Sequence, residues 1–268
     1  MTIPARADYG QGCYRRSIAL EAREGGAHGE LADDFHHFAS TVRHDGRVVT
    51  AVEGEDVRVP WTTCPGATVP LQQMTGAALD ARLSELFRHT PARAQCTHLH
   101  DVTCLAIAHA GRAARGGDTR RRYDIAVPDR VDRATTCTLA RDGSAELSWR
   151  VEGTKIVAAE REALLGLRIG SRELRELVSD DPDTERGEAA WVLMRAIFIG
   201  LGRQHDFEAM ASAGEFASVV GGSCHTYAAE RVDQALRVLG SVRDFTSAPD
   251  RVLDREPPAR PPAGTSRG

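Results

Sequence analysis

The first 60 residues alternate apolar and polar positions with a period of two over several short stretches. Tyr14 to Glu21 has the pattern of a strand. Phe35 to Val42, with the run Phe-His-His-Phe-Ala-Ser-Thr-Val, has it again, and His44-Asp45-Gly46 is a hairpin turn. Val48 to Val52 and Asp56 to Val59 continue the sheet, broken by the turn Glu53-Gly54-Glu55. Beyond Trp61-Thr62-Thr63-Cys64-Pro65-Gly66 the period changes. Leu79, Leu83, Leu86 and Phe87 recur at helical spacing, and Arg88-His89-Thr90-Pro91 closes that helix. A second helix opens at Thr97 and runs to about Arg115, its apolar stripe formed by Leu99, Val102, Ala106 and Ala110.

After the break at Arg115-Gly116-Gly117-Asp118 the same order returns. Strands are expected at 122–127, 134–139 and 145–151, and helices at about 171–178, 187–202, 206–219 and 227–240. The hairpin Arg43-His44-Asp45-Gly46 is echoed by Ala140-Arg141-Asp142-Gly143, and Ala106 to Arg112 by Ala196 to Arg203. This suggests a diverged internal duplication, against the simpler explanation of shared turn chemistry. The expected fold is α+β: an antiparallel β-meander with helices on one face, doubled in the second half. The expected units are a metal-binding module over 1–116, a second module over 117–254, and a disordered Pro-, Arg- and Gly-rich tail over 255–268.

Composition narrows the function. At 41% hydrophobic and 27% charged the chain is that of an ordinary soluble protein. Its net charge of −4 carries no basic block, which argues against a nucleic-acid partner. Nothing approaches 18 consecutive apolar residues and no signal peptide follows the start, so a cytoplasmic location without membrane contact is expected. The six cysteines should then be reduced thiols, available as ligands or nucleophiles. Lys155 is the one lysine among 34 Lys and Arg residues, the imprint of a GC-rich genome.

The chemistry concentrates in three short segments. Cys64 sits at a strand-to-helix turn. Cys96 precedes a helix, where free N–H groups and the helix dipole favour a thiolate, the form that binds borderline metals. His98, His100 and Asp101 follow in the first helical turn, with His100 four positions beyond Cys96. His98 projects elsewhere, to pack, to cap or to serve as the alternative ligand. In Asp33-Asp34-Phe35-His36-His37, strand alternation places Asp34 and His36 on one face. Each residue alone is most simply a packed polar group or a small hydrophobe; the cluster points to a metal or catalytic site. Cys104 and Cys137 lie in apolar stretches and belong to the core. In the second half, Cys224-His225 before a predicted helix matches a thiolate–imidazolium pair, or equally a helix cap over a buried Cys.

The segment from Asp33 to about Ala110 resembles the iron–sulfur cluster scaffold and sulfur-acceptor fold of the NifU and SufE type. Cys64 matches that family's second Cys, and Gly76-Ala77-Ala78-Leu79-Asp80 resembles its Gly-X-X-Leu-Asp helix start. Arg93-Ala94-Gln95-Cys96-Thr97 with the Ala-rich helix matches the third segment, and Asp34 falls near the family's Asp. Two departures matter: no cysteine stands near Asp33–Asp34, and Gln95 replaces the family's His. One thiolate fewer, with His36, His98 and His100 added, suits a single Zn²⁺ or Fe²⁺ better than a [2Fe–2S] cluster. The whole chain is also similar to an uncharacterised bacterial family, domain of unknown function 2889, which brings no activity with it.

These readings lead to a metal-dependent enzyme of hydrolase or lyase type acting on a small-molecule substrate. Asp34, Cys64, Cys96 and either His36 or His100 would hold one Zn or Fe ion, with His98, Asp101 or His225 as general acid or base. The alternative is a non-catalytic scaffold carrying an iron–sulfur cluster, sulfur or metal. Oligomeric state is not legible.

Overall fold

Eight strands form one continuous antiparallel sheet: β1 (Cys13–Arg23), β2 (Gly26–Asp33), β3 (His37–His44), β4 (Val49–Arg58), β5 (Arg120–Pro128), β6 (Ala134–Arg141), β7 (Ser144–Glu152) and β8 (Lys155–Ala158). Their order is β4-β3-β2-β1-β5-β6-β7-β8. The computed structural model describes residues 4–181 and 183–255. Each half is a four-stranded meander followed by helices. The two meanders join where β1 pairs β5, with Arg16 opposite Ile125 and Ile18 opposite Tyr123. The class is α+β, and the expected boundary at 116/117 falls in the connection from α3 to β5.

The helices are α1 (Thr68–Leu71), α2 (Leu83–His89), α3 (Thr97–Ala114), α4 (Arg172–Ser179), α5 (Thr184–Gly200) and α6 (Ala217–Val220). α3 packs across β1, β2 and β3; α5 packs across β5, β6 and β7. The two long helices lie side by side in antiparallel sense, because Asp101 meets Arg195 while Arg112 meets Glu188. Alternation on the central strands supplies the core beneath them: Tyr14, Ile18 and Leu20 on β1, Tyr123 and Ile125 on β5. The same alternation drives a charged residue inward, Arg16, which is 1% exposed. α3 lies close on its supports, and a Cβ at Gly111 would stand 1.9 Å from the Leu79 carbonyl oxygen.

Several sequence expectations need correction. The strand expected from Phe35 starts at His37, and β2 before it was not anticipated, so residues 34–36 form a turn. β4 runs unbroken through Glu53-Gly54-Glu55, paired with β3 along its length. The helix expected from Leu79 starts at Leu83. The helices expected at 206–219 and 227–240 are short 3-10 turns and loops, with only α6 in α conformation. Their apolar residues do not line one helical stripe. Met210, Ala213, Val232 and Ala235 instead close singly around Trp61 and Cys64 in a second small core.

The hairpin echo is not an equivalence of position. Asp45-Gly46 joins the third and fourth strands of its meander, whereas Asp142-Gly143 joins the second and third of the other. Both need left-handed backbone, with φ of +94° at Gly46 and +51° and +81° at Asp142 and Gly143, and Asp-Gly supplies it. The expected disordered tail lies, from residue 256 on, outside the described residues.

Candidate metal centre

Asp33 ends β2, and its fully buried carboxylate organises the turn that follows. The Phe35 and His36 amides both donate to its Oδ1 at 2.8 Å, folding the chain back on itself. On the other side the Tyr14 hydroxyl (2.8 Å) and Arg16 Nη2 (2.7 Å) donate to Oδ2. Tyr14 and Arg16 share the inward face of β1, and Arg16 Nε also reaches the Tyr14 oxygen at 2.9 Å. Burial works to raise the Asp33 carboxyl. The His36 hydrogen bond and the Arg16 guanidinium outweigh it and hold the group well below the usual range, so Asp33 is an anion.

The turn carries His36 back over Asp33, and His36 Nδ1 lies 3.1 Å from Oδ1. With the carboxylate as acceptor, that nitrogen carries the proton and Nε2 keeps the lone pair. The first turn of α3 brings His98 onto the other face of His36, ring centroids 3.7 Å apart. His98 Nε2 is 4.0 Å from Asp33 Oδ2 and, though buried, has no hydrogen-bond partner among the described residues. Burial lowers the pKa of both imidazoles, most strongly at His98, where His36 and Arg16 add to it. Both rings are therefore neutral near pH 7, each with a lone pair to offer. One ligand atom from each of Asp33, His36 and His98 lies within 4.8 Å of the others. His36 is the member that reaches solvent, 15% exposed against 6% for the His98 side chain.

Two neutral imidazoles and a carboxylate suit a borderline divalent ion such as Zn²⁺ or Fe²⁺. The unpartnered Nε2 of His98 fits that chemistry, since a buried polar atom ordinarily finds a partner. Arg16 competes for the same carboxylate, so the imidazoles would carry more of the binding than in an all-carboxylate site.

The expected ligand set is rearranged. Asp34 does not share a face with His36, because strand alternation stops at Asp33. Its Oδ2 accepts from Arg203 Nη1 at 2.9 Å and its Oδ1 from the Arg15 amide at 3.2 Å. Burial pushes the Asp34 carboxyl up to about 7. His100 lies with Thr90 Oγ1 (3.3 Å) and Cys104 Sγ (3.7 Å), against Phe87 and away from His36. Asp101 accepts from Arg195 Nε at 2.8 Å, tying α3 to α5, which commits it to an interhelical ion pair.

Cys64 and Cys96 gather elsewhere, with Cys224 from the second half. Cys64 Sγ is 3.3 Å from Thr226 Oγ1, and the His225 amide donates to the Gln95 carbonyl at 2.9 Å. The His225 ring covers Gly66, where a Cβ would stand 2.9 Å from its Nε2. His225 is thus a neighbour of the cysteines, not of His98. Burial raises all three thiols, Cys64 to about 11 and Cys96 well above its ordinary range, and at Cys64 and Cys96 a neighbouring thiol adds to it. The Cys96 thiolate expected from its place before α3 is therefore not favoured; desolvation exceeds the help of the helix N-terminus.

Asp33, Tyr14 and Arg16 are absent from the sequence-based set. A signal for Asp33 was present: an Asp three residues before a His at a strand end is the pattern of a side-chain-capped turn. Tyr14 and Arg16 carried none beyond sharing a strand face.

Compared with known proteins, the chain matches no family model and no curated sequence. No helix among the described residues is long and apolar enough to cross a membrane.

Proposed function

We propose that this chain is a metal-dependent enzyme of hydrolase or lyase type acting on a small molecule, with Zn²⁺ or Fe²⁺ held by Asp33, His36 and His98. The observation that carries the reading is the buried, unpartnered His98 Nε2 beside an anionic Asp33. When bound, such an ion supplies Lewis acidity and a water of lowered pKa. The chain's own residues do the rest. Asp33 fixes the His36 tautomer, Tyr14 and Arg16 orient the carboxylate, and the His98–His36 stack excludes water from the inner side. His36 marks the side from which a substrate would enter. A reducing, cytoplasmic setting belongs to the same reading, supported by cysteines that are all free.

A second reading, a scaffold for an iron–sulfur cluster or sulfur, is favoured by the meeting of Cys64, Cys96 and Cys224. The NifU and SufE resemblance and an ancestral duplication belong with it; the repeat of four strands and two principal helices in each half supports the latter.

Metal analysis of anaerobically purified protein tests both readings, with His98→Phe, His36→Ala and Cys64→Ser alongside and circular dichroism to monitor the fold. About one Zn or Fe per chain, lost in the His variants and kept in Cys64→Ser, is the expected result. Iron with sulfide, lost in Cys64→Ser, transfers the case to the scaffold. A folded wild-type chain that takes up neither metal on titration overturns the metalloenzyme reading.

A further inference from the structure

A cavity of about 740 Å³ opens between the β5–β6 turn, the β7–β8 turn and the loop after β8, and it shares no residue with the Asp33 cluster. Its walls carry Arg130, Arg133, Lys155 and Arg168 against one carboxylate, Glu152. Glu152 is engaged outside the group, 3.4 Å from Arg150 Nη2. No ion pair among the described residues uses any of the four cations. Arg130 Nη2 is buried without a hydrogen-bond partner. The chain's single lysine thus stands among three arginines around an opening of the size that holds small ligands.

The backbone supports a purpose for this gathering. Asp132 and Arg133 both have positive φ, +50° and +67°, between reciprocal bonds joining Val131 and Ala134. Asn-Gly or Asp-Gly would make such a turn readily, and Asp132 fits the first position; Arg133, a long side chain at positive φ, costs about 1–2 kcal/mol. The Gly153 amide donates to the Arg133 carbonyl at 2.9 Å, so the β7–β8 turn holds the strained residue in place. Arg168 Nη1 donates to Thr154 Oγ1 at 3.1 Å, which fixes a second guanidinium on the same rim. A strained residue kept beside four cations that share no ion pair among the described residues points to binding.

We propose that this cleft binds a small molecule bearing a diphosphate or two phosphate groups. Guanidinium forks match phosphate oxygens in pairs, a lysine adds a point charge, and clustered anionic oxygens are what four unneutralised cations demand. A cavity, instead of an open basic stripe, selects a small molecule over a nucleic acid.

Calorimetric titration of the full chain with inorganic pyrophosphate at low salt tests this, with Lys155→Gln, Arg133→Gln and their double variant. All these side chains are exposed, so the variants should fold, and the distant Arg172→Gln serves as control. Binding at one per chain is expected, weakened about fivefold to tenfold by each single change, about 25-fold to 100-fold in the double variant, and unaltered in the control. Absence of pyrophosphate binding, or equal binding by the variants, overturns the proposal. Citrate binding as tightly as pyrophosphate overturns the assignment to phosphate. A short single-stranded oligonucleotide that binds more tightly and displaces pyrophosphate overturns the small-molecule assignment.

Discussion

The imidazole rings of His36 and His98 lie face to face, centroids 3.7 Å apart and planes 23° from parallel. Two imidazolium ions could not share that geometry without strong repulsion, so at most one ring is charged, and burial lowers the pKa of both. Replacing His98 with Phe keeps the stack and removes the unpartnered Nε2. The metal-free variant should be as stable as the parent or about 1 kcal/mol more stable in urea unfolding. A loss of more than about 2 kcal/mol would show that Nε2 has a partner in the metal-free fold.

Arg203 fastens the second half to the first. It is 1% exposed and donates to Asp34 (2.9 Å), Asp129 (2.9 Å) and Asp244 (3.0 Å). Arg203→Met strands buried carboxylates and should cost about 3–5 kcal/mol in chemical denaturation. Arg203→Lys should recover only part of this, since one ammonium cannot serve three separated carboxylates. Full recovery with lysine would mean that charge alone matters here.

His109 gives a pH dependence away from the candidate site. It is buried in α3 and faces Arg112, Arg121 and Glu188; burial foremost, with Arg112 and Arg121, lowers its pKa from the ordinary 6.5. The unfolded chain therefore binds a proton that the folded chain refuses. Its contribution to stability is full above pH 6.5 and is lost as the pH falls below that value. Between pH 7 and 5, His109→Gln should lose less stability than the parent, read from urea midpoints at each pH. Parallel slopes would contradict the assignment.

Gly111 marks a close approach of α3 to the loop before α2. Gly111→Ala would drive its Cβ into the Leu79 carbonyl, 1.9 Å away, which a helix anchored on three strands cannot relieve by a small shift. A destabilisation of about 2–3 kcal/mol is expected despite alanine's better helix propensity. A stabilised variant would refute this packing.

Six free cysteines provide a direct measure of burial: five are buried and Cys224 is partly exposed. In the native protein, a thiol reagent such as Ellman's should titrate at most one of them rapidly, and all six after unfolding. Rapid reaction of Cys64 or Cys96 in the folded state would contradict their packing and their raised pKa.

Local pattern alone carried much of the architecture. Period-two alternation located β1, β5, β6 and β7. The apolar stripe of Leu99, Val102, Ala106 and Ala110 located α3, and Asp-Gly pairs located two turns. These features depend on neighbours in the chain, so the chain displays them. β2 escaped because its Gly, His and Glu residues alternate weakly, and its status as a strand comes from the partners on both its edges. The segments after α5 escaped for the opposite reason: their apolar residues pack one by one against Trp61 and Cys64, with no common face to give a period.

The candidate site divides in the same way. Sequence by itself determined the α+β class and a pool of His, Asp and Cys residues in which His36 and His98 stood. The tertiary structure decided which of them meet. One turn at Asp33 ended the alternation that would have paired Asp34 with His36, and turned Asp34 towards Arg203. The packing of α3 on the β2–β3 turn then selected His98 over His100, because residues two apart on a helix face different ways. Side-chain direction at a strand end and helix rotation over a sheet are set by contacts distant in sequence, and no reading of neighbouring residues contains them.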